Sequence, residues 1–307
     1  MRWFFLLSVF FSSSVLAQVV WKNADSAFGK LSPNVHVYAT EQVLDSFPLR
    51  AFYVIAPLQD KDLHFFTDTT LNRRLTPEGF YNRNSEPLVV VNGTFFSFQT
   101  NRNLNLVINN GAILNYNPPI QRKMGADSVS QLIYSSAIGI SENRNADVAW
   151  VVTDSIEGKV FANQEPAAGR KQVKNNKVLI NNFSEWKMET AIGGGPVLVQ
   201  NGSLKITNNE ERKFAGKAIS DKHPRTAMGY TRDGKLIILA VEGRTTVSKG
   251  VDLLQLAKIM LELGCVEAIN LDGGGSSCLL VNGKETITPS DKNGQRPVPA
   301  VFMIRTK

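Results

Sequence analysis

The residues best suited to chemistry lie in one run, Asn270-Leu271-Asp272-Gly273-Gly274-Gly275-Ser276-Ser277. An apolar stretch delivers a carboxylate, three glycines come next, and two serines close the run. Glycines lack a Cβ and reach positive φ, so the backbone turns tightly and approaches a ligand closely. Successive N–H groups in such a turn form an anion-binding nest. The serine hydroxyls add donors, and Asp272 sets a carboxylate at the rim. A flexible surface turn is the alternative, but a hairpin here needs only two turn residues, and three ordered glycines cost much entropy. Established motifs fail in detail. Gly283-Lys284 is followed by Glu285, so there is no P-loop, and both the dinucleotide fingerprint and the nucleophile elbow meet Cys278 where a glycine belongs. With no His-Glu-x-x-His, the ATP, nicotinamide and zinc-protease chemistries all lack their residues.

Three further clusters carry functional residue types. In Val89-Val90-Val91-Asn92-Gly93-Thr94-Phe95-Phe96 an apolar strand ends at Asn92, which suits a sugar hydroxyl, and two aromatics suit a sugar face; a plain Asn-Gly turn with core phenylalanines is the alternative. Ile192-Gly193-Gly194-Gly195-Pro196 allows either close backbone approach or a bulge. His223-Pro224-Arg225-Thr226-Ala227 and Val241-Glu242-Gly243-Arg244 flank the Asp233-Gly234 turn. In an antiparallel pair Arg225 and Glu242 share one sheet edge, as a surface ion pair or as part of a site. Arg225 and Arg244 together suit a phosphate, because guanidinium forks match its oxygens.

The elements that must position these residues are mostly strands. Short β-branched and aliphatic runs predict strands at 35–39, 49–55, 88–91, 104–108, 148–152, 196–199, 235–241, 268–271, 279–281 and 300–304. Asn110-Gly111, Asn201-Gly202, Asp233-Gly234 and Asn282-Gly283 predict type I′ hairpins. Thr76-Pro77-Glu78 reads as a helix start, and 251–263 as an amphipathic helix stopped by Gly264 and leading straight into a strand. The fold class is α+β, strand-rich and mainly antiparallel with few helices. There is no repeat or linker, so 18–307 reads as a single domain. The lysine-rich stretch 163–182 reads as a surface loop or a lid.

The 307 residues carry 34 Lys and Arg against 27 Asp and Glu, a net charge of +7 that favours acidic partners such as phosphates or anionic glycans. No basic run with interleaved aromatics points to nucleic acid. Two cysteines and three histidines exclude a cysteine-rich zinc site. Residues 1–17, MRWFFLLSVFFSSSVLA, have a positive start, a short apolar run and small residues before Gln18, the pattern of a cleaved secretory signal peptide. The run is too short to span ~30 Å of hydrocarbon, and no later run reaches ~18 apolar residues, so no membrane span is expected after cleavage. A periplasmic or secreted location is the consequence. That compartment permits a disulfide between Cys265 and Cys278; two separate buried thiols are the alternative.

The clusters, with Ser248-Lys249-Gly250 and Arg296-Pro297-Val298-Pro299, occur in an order that resembles the phosphodiester glycosidase family, with motifs from about 88 to 307. Its animal member removes N-acetylglucosamine from a mannose-phosphate diester, and bacterial relatives are associated with exopolysaccharide biosynthesis. The resemblance implies one α+β catalytic domain that hydrolyses the bond between an anomeric carbon and a phosphodiester oxygen. By resemblance, Asn92, Arg225, Asp272 and the Gly273–Ser277 loop fall on the family's active-site motifs. With the neighbouring clusters read from their residue types, Asp272, Glu242 and Arg225 are expected to be catalytic, and Asn92, Gly194, Gly195, Thr226, Arg244, Ser248, Gly273, Gly274, Gly275, Ser276 and Ser277 to bind substrate. A carboxylate would stabilise an oxocarbenium-like state or activate water, and the arginines would stabilise the departing phosphate. No cofactor is required, although Asp272 and Asn92 offer oxygens to a divalent metal. The rival readings are a sugar-phosphate- or glycan-binding protein without turnover, and a phosphodiesterase that cuts P–O.

Overall fold

The structure is a computed structural model that describes residues 18–123, 130–166, 168–170, 173–174, 177–178 and 182–307. The signal-peptide reading of 1–17, and much of the lid-or-loop reading of 163–182, lie outside the described residues. The chain forms a strand-rich α+β domain in which every strand pairing among the described residues is antiparallel. The largest sheet has the order Lys22–Asn23, His36–Leu44, Phe47–Pro57, Lys235–Val241, Arg225–Thr231, Cys265–Asn270, Val197–Gln200, Ser203–Leu204. A seven-stranded sheet is built around Ala146–Asp154, Ser135–Ile140 and Thr190–Gly193, and a five-stranded sheet around Val89–Asn92 and Ala300–Thr306.

Each predicted strand has a counterpart, and Lys235–Val241 shows why its signal is an unbroken apolar run. Strand side chains alternate between faces. Leu236, Ile238 and Ala240 enter the core shared with the other two sheets, where Ile138, Trp150, Val91 and Phe302 pack. Ile237, Leu239 and Val241 face the opposite way, onto Leu253, Leu256, Ala257 and Met260 of the helix Leu253–Glu262. A strand covered on both faces has no polar side to show.

That helix begins at a capping box: the Asp252 carboxylate accepts from the Gln255 N–H at 2.8 Å, and Gln255 Oε1 accepts from the Asp252 N–H at 3.2 Å. It ends before Gly264, whose φ is 84°. Burying a leucine such as Leu256 contributes about 2 kcal/mol, and truncating it to alanine costs ~2–5 kcal/mol once the cavity is counted. The predicted start at Thr76 is a true N-cap, its hydroxyl accepting from Gly79 N–H at 3.0 Å ahead of Pro77–Arg83.

Three of the four predicted hairpins take the I′ geometry, with positive φ at both residues of Asn110-Gly111, Asn201-Gly202 and Asn282-Gly283. The fourth is corrected: only Gly234 has positive φ, 75°, because the Thr231 hydroxyl bonds to Asp233 and closes a different turn. Of the two readings of the cysteines, two separate buried thiols is the one found. Cys265 and Cys278 are both free and buried. Cys265 packs in the helix-side core and Cys278 in a separate cluster with Phe96, Leu280 and Val301. Burial pushes the Cys265 thiol up to about 12, so it stays protonated.

Candidate active site

The site forms where the largest sheet meets the five-stranded one. Arg225 opposes Val241, and Ala227 opposes Asn270. One strand's start therefore lies beside the ends of both neighbours, which brings Arg225, Glu242 and Asp272 to the same edge. From Asn270 the chain crosses as a loop to Leu279, which pairs with Val91 in the other sheet.

Asn92 pins both ends of this loop. Its Nδ2 donates to the Asp272 carbonyl at 2.6 Å, and its Oδ1 accepts from Cys278 N–H at 3.0 Å and from the Thr226 hydroxyl at 2.8 Å. Asp272 N–H donates to the Gly93 carbonyl at 3.0 Å and Gly274 N–H to the Pro224 carbonyl at 2.8 Å. Side chains are disfavoured at two of the glycines: a Cβ on Gly275 would lie 2.2 Å from Arg296 Nη2 and force that side chain to shift, and Gly274 has φ 61°.

A cleft of about 280 Å³ opens over the loop, lined by Phe95, Phe214, Ala218, His223, Arg225, Arg244, Asp272, Gly273, Gly274, Gly275 and Arg296. Three guanidiniums surround its single carboxylate. Buried Arg225 donates to the carbonyls of Val251 and Ala218 at 3.2 and 3.1 Å and lies over the Phe214 ring at 5.3 Å. Burial, reinforced by Arg244, pulls its pKa down to about 10, so it remains charged at neutral pH. Arg244 is exposed at φ 62° and contacts His223 Nδ1 at 3.3 Å. Arg296 is held by Asp291 at 2.7 Å and reaches the Ser276 hydroxyl at 3.4 Å.

The Asp272 carboxyl accepts from the Gly273 N–H at 2.9 Å. Burial pushes its pKa up to about 6, against the lowering effect of the Ser276 hydroxyl, the Gly273 N–H and the Arg296 charge. That value suits proton transfer near neutral pH. His223 is shifted the other way: burial and then the charges of Arg225 and Arg244 hold it below its ordinary 6.5. A neutral ring that accepts from Arg244 at Nδ1 carries its proton on Nε2.

Of the sequence-assigned residues, the cleft gathers Asp272, Arg225, Arg244 and Gly273–Gly275, with Ser276 directly beneath. The others stand behind it. Glu242 is fully buried, and its carboxylate accepts from Arg50 at 3.4 Å, the Thr245 hydroxyl at 2.9 Å and Thr288 N–H at 2.9 Å, away from the cleft lining. Ser248 donates to the Glu242 carbonyl at 2.6 Å. Gly194 and Gly195 press against Asn270: a Cβ on Gly194 would lie 2.5 Å from the Asn270 carbonyl, and Gly195 N–H donates to that carbonyl at 2.7 Å. Ser277 is buried under the loop, and Asn92 and Thr226 spend their polar atoms on each other and on the loop. Asn92 Oδ1 therefore has no free direction for a metal beside Asp272, and no group of three His, Cys, Asp or Glu gathers among the described residues. Sequence reasoning did not assign Arg296, His223, Phe95, Phe214 and Ala218. His223 and Phe95 stand within sequence motifs whose other members were assigned, and Arg296 within the Arg296-Pro297-Val298-Pro299 motif, from which no residue was assigned; Phe214 and Ala218 carry no local signal.

The chain is thus an antiparallel α+β domain that sets one carboxyl among three guanidiniums on a glycine loop. Relatives narrow this description. Residues 85–305 match the phosphodiester glycosidase family, and the chain belongs to that family. It is 37% identical over 102 residues to the bovine N-acetylglucosamine-1-phosphodiester alpha-N-acetylglucosaminidase, 31% of this chain and 19% of that protein. The human protein of the same name is 36% identical over 102 residues, 31% of this chain and 20% of its own length. The match thus spans about a fifth of these relatives. Two solved structures share the fold. The zebrafish N-acetylglucosamine-1-phosphodiester alpha-N-acetylglucosaminidase catalytic domain, auto-inhibited by its pro-peptide, gives a TM-score of 0.61 at 21% identity over 94% of this chain and 89% of that one. A hypothetical protein from Synechocystis gives 0.62 at 14% identity over 94% and 64%. No helix among the described residues is long and apolar enough to cross a membrane.

Proposed function

We propose that the protein hydrolyses a sugar-1-phosphodiester by breaking the bond between the anomeric carbon and the phosphate oxygen, outside the cytoplasm, in cell-envelope or exopolysaccharide metabolism. The observation that carries the reaction is the pairing of Asp272, with its pKa near 6, with Arg225, Arg244 and Arg296 in one cleft. Glycosidases ordinarily use two carboxyl groups, one of which protonates the leaving oxygen. This cleft is lined by one. A departing phosphate monoester is a good leaving group that calls for charge stabilisation more than for a proton, and guanidiniums supply that. Asp272 then acts as the base that takes a proton from the attacking water, and its Gly273 and Ser276 contacts fix its orientation. The arginines hold the phosphate, because the N–H groups of Gly273, Gly274, Ser276 and Ser277 are already spent on Asp272, Pro224, Gly273 and Gly274 and form no anion nest; Phe95 and Phe214 flank the sugar.

The test is release of reducing sugar from a panel of sugar-1-phosphodiesters by the wild type and by Asp272→Asn. Release by the wild type and a fall of about 10²–10⁴-fold in a folded mutant support the assignment, the range of a lost general base. Equal release by both removes Asp272 from the mechanism. No release with intact binding returns the protein to the sugar-phosphate-binding reading.

A further inference from the structure

Large apolar side chains on a protein surface are ordinary when they stand singly. Three stand together beside the cleft: Leu71, 86% exposed, Phe98, 65%, and Leu104, 54%. Contacts between their segments join them. Asn103 Nδ2 donates to the Thr69 hydroxyl at 2.6 Å, and the Arg74 guanidinium lies over the Phe98 ring at 5.5 Å. Arg296, a wall of the cleft, lies over that ring too, at 5.3 Å, so the face borders the cleft.

The charge around these side chains has one sign. Arg73 and Arg74 follow Leu71, and Arg102 falls between Phe98 and Leu104. From 69 to 77 and from 87 to 126 the chain carries no Asp or Glu. None of the three arginines is in an ion pair among the described residues, whereas the bordering carboxylates are engaged, Asp68 by Arg83 at 3.3 Å and Asp291 by Arg296 at 2.7 Å. Ile156 supplies the contrast: it is 87% exposed, yet its turn carries Asp154 and Glu157. The turns that hold Leu71 and Phe98 are also closed internally. The Thr70 hydroxyl donates to the Arg73 carbonyl, and Thr70 N–H to the Pro299 carbonyl at 2.8 Å. Ser97 N–H donates to the Arg102 carbonyl at 3.0 Å, and Asn101 N–H to the Ser97 carbonyl at 2.8 Å. Backbone bonded in this way enters a poorly hydrated layer without stranding those polar groups.

We propose that Leu71, Phe98 and Leu104, with Arg73, Arg74 and Arg102, dock the protein on the surface of an anionic lipid bilayer. The apolar side chains enter the boundary between headgroups and acyl chains, and the guanidiniums meet the lipid phosphates. Arginine suits this place because its apolar stem lies along the acyl boundary while its planar fork matches phosphate oxygens. Apolar side chains carried on two separate turns suit a fluid surface that yields around each of them; an acidic protein partner would need a matching pocket for each. The inference does not depend on the reaction. Where the reaction reading holds, docking sets the cleft beside the membrane surface.

The test is co-sedimentation with vesicles of phosphatidylcholine, with and without phosphatidylglycerol. Binding should require the anionic lipid and fall as salt is raised. Arg73→Gln combined with Arg102→Gln should weaken it roughly tenfold or more, at about fivefold per arginine. Leu71→Ser combined with Phe98→Ser should weaken it by at least about tenfold. Ile156→Ser should leave it within about twofold. Phe98→Trp should add emission that lipids with spin-labelled acyl chains quench. The substituted residues are exposed, so the variants should fold. Residues 1–17 are common to all of them, so any affinity of that run for lipid cancels in the comparison. Equal binding to both kinds of vesicle, binding that the Leu71 and Phe98 pair leaves unchanged, or an equal loss in Ile156→Ser overturns the proposal. So does an absence of binding, which would leave the face to an acidic protein partner.

Discussion

Replacing Asp272 with asparagine removes a titrating group while keeping its shape, and the structure sets both the sign and the size of the effect on stability. The folded protein holds this carboxyl at about 6 against its ordinary 3.8, chiefly through burial. It therefore binds its proton more tightly folded than unfolded. The stability it contributes is complete below about pH 4 and is lost as the pH rises through about 6. At 1.36 kcal/mol per tenfold change in proton affinity, the gap between those values is worth ~3 kcal/mol. The open side of the cleft screens part of it, so we take ~2 kcal/mol. Asparagine offers fewer acceptor sites to Gly273 and Ser276, a cost of ~1 kcal/mol at every pH. The mutant should thus be ~1 kcal/mol less stable than the wild type at pH 4 and ~1 kcal/mol more stable at pH 8, with a crossing between. Urea midpoints for both proteins across that range read the difference directly. A stability difference that stays constant with pH refutes the raised pKa, since the cleft would then not penalise the charge. The same group should give the rate of sugar release an acid limb near pH 6, activity falling below it.

Four other substitutions separate cleft from support. Glu242→Gln should lower stability by ~1–3 kcal/mol by weakening the bonds from Thr245 and Thr288, since Arg50 keeps Glu41 at 2.9 Å, and leave the pH profile of the folded fraction's activity unmoved; a shifted profile would place Glu242 in the reaction. Thr226→Val, which strips a 2.8 Å bond from Asn92, should cost ~1–3 kcal/mol in urea unfolding and slow turnover by loosening the loop. Gly275→Ala should fold, because the clash at 2.2 Å is with the flexible end of Arg296. It should lower kcat/KM roughly ten- to hundredfold by displacing a charged donor. Gly250→Ala should yield little folded protein by circular dichroism, since φ is 88° and the Cβ would lie 2.2 Å from the rigid His223 carbonyl oxygen.

Local pattern revealed ten strands of this fold but not such central ones as Leu63–Thr69, Ser135–Ile140 and Thr190–Gly193, and the reason for the strongest signal is visible in Lys235–Val241, where covering by two cores leaves an unbroken apolar run. The glycine loop was legible because its composition makes sense only where backbone comes close to something. The partnership of the sheets was not legible. Lys235–Val241 pairs with Phe47–Pro57, and Ala300–Thr306 is inserted between Leu63–Thr69 and Val89–Asn92. These pairings join residues far apart in the chain, and no local rule selects them. The same limit explains the site. Arg225 and Glu242 do reach one edge, as antiparallel logic requires, yet Glu242 turns to Arg50, Thr245 and Thr288, none of them predicted by that local pairing. Arg296 enters the cleft from a distant loop, and only its place in an arginine-proline motif hinted at it. Asn92 read as a ligand for sugar, but the hydrogen bonds that use it belong to the loop it clamps.

The proposed chemistry stands or falls on which bond breaks: the anomeric C–O bond, opened by a single carboxylate with arginines for the leaving group, or the P–O bond. Hydrolysis of N-acetylglucosamine 1-(methyl phosphate) in ¹⁸O-water, followed by mass spectrometry of both products, decides between them. Label should enter the sugar and none the phosphate; label in methyl phosphate would mean P–O cleavage and would overturn the roles given to Asp272 and the three arginines.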